Sequence, residues 1–144
     1  MLTRDNEQIL LNEIHVLCME AADHYEAATS KEGGADMKPI FSAAAEEHRG
    51  FAAKLAAYIR LNDDQPKLPD PDRETLALFL TSIKGRLANN ERQMLIEDQV
   101  KMEQRLSETI TTALRCDLPQ DVKLLLEDIL AKANSMQHVL RNAE

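Results

Sequence analysis

At 144 residues, with 44% hydrophobic and 29% charged side chains, the chain has the size and balance of one globular domain. A chain of that length buries a core without needing disulfides or a structural metal. The formal net charge of −8 excludes the clustered basic surface that nucleic acid or an anionic membrane demands, so neither is expected as a partner. Cys18 and Cys116 form no Cys-x-x-Cys pair, and Cys18 is expected to act as a small buried hydrophobe. The first residues lack the basic-then-apolar order of a secretory signal, and no apolar run approaches the ~20 residues of a membrane span. A soluble, cytoplasmic protein is the expectation.

Ala, Leu, Glu, Lys and Gln dominate, while aromatics make up only 3%. These side chains lose little freedom in a helix, and strands favour other types, so the expected fold is all-α. The first helix is predicted over about 5–29. Leu10, Ile14, Leu17, Ala21, His24 and Ala28 recur at steps of four and three, and Leu11, Cys18 and Tyr25 widen the stripe. Gly33 and Gly34 then break it as a C-cap or turn.

The second helix is predicted over 36–61, from Asp36 as N-cap, with Pro39 in its first turn. Its inward stripe is Met37, Phe41, Ala44, His48, Phe51, Leu55 and Tyr58. Pro66, Pro69 and Pro71 forbid its continuation. A crossover helix follows over 71–88, with Leu76, Phe79, Leu80, Ile83 and Leu87 in line and Leu78 off it.

Ala88-Asn89-Asn90 reads as an interruption, with Asn90 and Gln93 resembling a capping box for a helix over 91–115. Leu95, Met102, Leu106, Thr109 and Ala113 are its inward positions. The last helix is predicted over 119–142, with Val122, Leu125, Leu126, Ile129, Ala133, Met136 and Leu140 on one face. Two hairpins joined by a crossing segment make a four-helix bundle.

His24 and His48 interrupt the core stripes, whereas His15 sits by the Ile14 edge and His138 faces water. Inward histidines and carboxylates in such a bundle raise a metal site. The di-iron pattern takes a Glu from each of two helices and Glu-x-x-His from each of the others. Here Ala45 stands three residues before His48, Glu46 and Glu47 are out of step, and Ala133 and Met136 occupy the inward pair of the last helix. A complete cage cannot be assembled. A reduced one would use Glu20 and His48, helped by Glu47, Asp98 or Glu103. With the first hairpin folded about Gly33, His48 is level with Cys18 and within ~3 Å of rise of Glu20. His24 then falls ~9 Å from the His48 level, too far to share an ion. The plain alternative is a buried carboxylate–imidazole hydrogen bond. Histidine phosphotransfer is not supported: Thr81 stands where Lys84-Gly85 would want a histidine. No Gly-rich phosphate loop, nucleophile triad or zinc knuckle is present.

The segments Leu17–Ala28, Pro39–Leu55 and Leu118–Val122, with the stretch after Asp70, resemble the ferritin-like superfamily, and within it a branch of short bacterial proteins of unknown function. The resemblance spans nearly the whole chain and rests on pattern and loop order. It implies a ferritin-like antiparallel four-helix bundle with an additional helix in the crossover between the hairpins. Metal-bearing relatives such as rubrerythrins oxidise iron or reduce peroxide. The departures at Ala45, Ala133 and Met136 point instead to a scaffold without complete metal chemistry. No cofactor is expected, and the alternative is iron or another transition metal on Glu20, His48, Glu47 and Glu103. Leu78, Leu124 and Leu130 are surplus to the stripes and suggest association as a homodimer.

Overall fold

A computed structural model describes residues 6–61, 64–66, 68 and 88–143. Its elements are α1 (Asn6–Thr29), a 3-10 helix (Glu32–Met37), α2 (Lys38–Leu61), α3 (Ala88–Ala113) and α4 (Gln120–Asn142). Among the described residues there is no strand, and no helix is long and apolar enough to cross a membrane. The predicted crossover helix, with Leu78, lies outside the described residues except for Ala88, which opens α3.

The helix ends show where pattern reading stopped short. Gly33 and Gly34 do not cap α1; they belong to the 3-10 helix that carries the chain into α2. Gly33 is there for room. A Cβ on it would come within 2.8 Å of the Glu91 side chain and 2.9 Å of the Arg92 backbone nitrogen. Its N–H donates to Glu91 Oε1 at 2.7 Å, and Arg92 holds Asp36 at 3.0 Å. The 3-10 helix is thereby fixed beneath the first turns of α3. That helix begins at Ala88, not Glu91: Asn89 and Asn90 continue it rather than interrupt it. It stops at Ala113, where Arg115 and Cys116 N–H groups bond back to Thr112 and Ala113 carbonyls.

Contacts between helices give the topology. Arg49 of α2 meets Asp23 and Glu26 of α1, and Ser107 of α3 meets Asn134 of α4, so each hairpin is antiparallel. Between hairpins, Asp36 meets Arg92 and His48 meets Glu103: numbers rise together, so α2 and α3 run parallel. Leu61 and Ala88 therefore lie at opposite ends of the bundle.

Two apolar clusters fill the interior. One gathers Leu11, Ile14, Leu55, Leu106, Ile110, Leu126 and Ile129; the other gathers Tyr25, Phe41, Leu95, Ile96, Met102 and Leu140. Each large side chain buried this way contributes ~1.5–3 kcal/mol against the entropy of ordering the chain. Leu130, expected as surplus surface, packs against the first cluster, while Leu124 is 53% exposed.

Candidate functional site

The polar interior is built mainly on α3. His48 and Glu103 have side chains 1% and 0% exposed, and His48 Nε2 lies 2.7 Å from Glu103 Oε1. The other ring nitrogen, Nδ1, is 2.7 Å from the Ala44 carbonyl oxygen. A carbonyl only accepts, so Nδ1 carries a proton. Tyr25 OH donates to the second carboxylate oxygen of Glu103 at 2.9 Å. Its ring also packs against His48, with centroids 5.5 Å apart. Burial pulls the His48 value down, but the hydrogen bond and charge of Glu103, the Ala44 carbonyl and the charge of Glu47 outweigh it; the net direction is up. The pair is a carboxylate–imidazole contact, sealed from solvent, in which protonation of the ring is favoured.

Burial and the Glu103 charge push the Tyr25 hydroxyl up, so it remains a donor. The Cys18 thiol is also pushed up, first by burial and then by Glu103, which keeps it neutral and unreactive. Cys18 is thus the buried hydrophobe the sequence suggested.

A second pair lies nearer the surface. His24 Nδ1 is 2.7 Å from Asp98 Oδ2, with side chains 24% and 18% exposed. Its value is raised, first by the Asp98 hydrogen bond, then against burial by the charges of Asp98, Glu20 and Asp23. Next to it Gln99 is buried; its Nε2 approaches Asp98 at 3.5 Å, and its Oε1 has no partner among the described residues.

The expected site residues are therefore distributed differently from the level estimate. His48 is level with Tyr25, not Cys18, because the 3-10 helix shifts the hairpin register. His48 takes Glu103 as its partner, and Glu20 acts on His24 instead. Glu47 turns to Lys132 of α4 at 3.2 Å. Glu103, absent from the inward positions predicted for α3, is fully buried. His15, read at an edge, is buried, and His138 is exposed beside Asn142. Tyr25 was visible only as a stripe residue. Its signal was the rule that an inward tyrosine hydroxyl seeks a partner.

The donor set does not fit a di-iron centre. Glu103 spends both oxygens on Tyr25 and His48, and His48 spends both nitrogens. Among the described residues no three His, Cys, Asp or Glu side chains gather in a metal-holding group. An open groove of about 380 Å³ between α3 and α4 is lined by Ser107, Thr111, Thr112, Arg115 and Asn134. The two threonine hydroxyls in it donate to carbonyls one turn back rather than into the groove. No family model, characterised protein or solved structure matches the chain significantly.

Proposed function

We propose that the chain is a ferritin-like four-helix scaffold that acts through its outer surface, as a homo-oligomer in the cytoplasm, with its interior given over to the fold. The parallel course of α2 and α3 is compatible with the single long crossover of ferritin-like bundles. The observation that carries the reading is the closed Tyr25–Glu103–His48 chain, whose polar atoms satisfy one another where a metal centre would need open donors. With the interior committed, the outer faces are what the molecule presents to other molecules.

The competing reading is an oxidoreductase with a reduced site on Glu20, His48, Glu47 and Glu103. Elemental analysis after expression in iron- and manganese-supplemented medium separates the two. The scaffold reading expects below ~0.1 equivalent of any transition metal, since binding would have to break the buried pair. A full equivalent, lost in His48→Gln, overturns it.

A further inference from the structure

We infer that the outer face of α2 pairs with the same face of a second copy of this chain, antiparallel and centred on Gly50. The inference rests on the scaffold reading and names the surface it would use.

Pro39, Ala43, Glu46, Gly50, Ala57 and Leu61 follow one another at helical steps along α2, and all are exposed. Leu61 is the most exposed large apolar side chain described, at 78%. Gly50 stands at the middle of this helix, where glycine is less favourable than alanine. Among the described residues nothing requires it there, because a Cβ at Gly50 would meet none of their atoms within 4 Å. A close approach from outside accounts for it.

Charge selects the occupant and its direction. The chain carries −8 overall, so most faces of two copies repel. Exposed Glu13, Asp23 and Glu26 make α1, which carries no lysine or arginine, acidic. The α2 face is balanced. Glu46 and Lys54 stand four residues either side of Gly50, and neither has an ion-pair partner among the described residues. In an antiparallel pair centred on Gly50, Glu46 of one copy is level with Lys54 of the other. Ala43 is then level with Ala57, and Pro39 with Leu61. A parallel pair would oppose like charges. This is the self-complementarity that a twofold interface requires. One helix pair lies at the small end of specific interfaces, so the dimer should depend on concentration.

Light scattering across a concentration series tests this on the full chain. The wild type should shift from monomer to dimer. Gly50→Arg, which puts a good helix former into open space, should be monomeric throughout with helical circular dichroism undiminished. Glu46→Lys should weaken the dimer by about ten-fold, and adding Lys54→Glu should restore it. Leu124→Arg on α4 should have no effect. A dimer that survives Gly50→Arg, or a charge-swapped double variant no better than the single, overturns this face while leaving the scaffold reading in place. A wild type monomeric at every concentration overturns self-association, and a bound transition metal overturns the scaffold reading whatever the oligomeric state.

Discussion

Glu103 is the side chain whose loss should cost the fold most per atom removed. Glu103→Ala strips the buried imidazole of its counter-charge and hydrogen-bond partner and leaves a buried tyrosine hydroxyl without its acceptor. Removing one partner of such a pair costs about 3–5 kcal/mol, a large part of a domain's ~5–15 kcal/mol. For a chain of this size that lowers Tm by roughly 10–20 °C. Glu103→Gln should behave quite differently. With Nδ1 of His48 protonated toward Ala44, a neutral ring presents Nε2 as an acceptor. The new amide can donate to it while its oxygen accepts from Tyr25. Every polar atom stays satisfied, and the loss should be within about 1 kcal/mol at neutral to alkaline pH.

The pH dependence fixes the sign. The folded His48 value lies above its ordinary 6.5, so the pair stabilises fully below that value. The stabilisation is lost as pH rises through the raised folded value. The glutamine variant lacks this term, so its deficit should widen toward acid and shrink toward alkaline pH. Urea unfolding followed by circular dichroism across that range measures it. Equal losses for the alanine and glutamine variants, or a deficit growing toward alkaline pH, would refute the hydrogen-bond assignment.

Gly33→Ala should destabilise by about 1–3 kcal/mol through overpacking against the α3 backbone, seen as a lower urea midpoint with an unchanged slope. Gln99→Met removes the orphaned carbonyl while keeping its volume; it should raise stability by about 1 kcal/mol in the same assay, and a loss would show that the oxygen has a partner in solution.

The helices were legible because their apolar residues recur at three and four, and every predicted stripe residue of α4 is buried. The start of α3 was not, because Asn89 and Asn90 look like a break while tertiary contacts from Gly33 and Asp36 hold that turn helical. The partner of His48 was hidden for a different reason. Which carboxylate meets an inward histidine depends on how far one helix slides along another. That offset is set by the length of the connecting turn, which a pair of glycines does not reveal. Placing the turn at a point, rather than along a 3-10 helix, moved His48 from Tyr25 to Cys18 and nominated Glu20 over Glu103. Glu103 shows a related limit: hydrophobic periodicity ranks charged residues as surface and has no term for a partner on another helix.

Surface connections are ordinarily where a chain tolerates extra residues or a new terminus. The α1–α2 connection is an exception, since Gly33 and Gly34 are buried and their backbone abuts Glu91, Leu95 and Phe41. An affinity tag, a fluorescent insertion or a circular permutation opened between Gly33 and Gly34 would dislodge the seat of the second hairpin. The exposed stretch at Asp117 and Pro119, between α3 and α4, offers the safer opening.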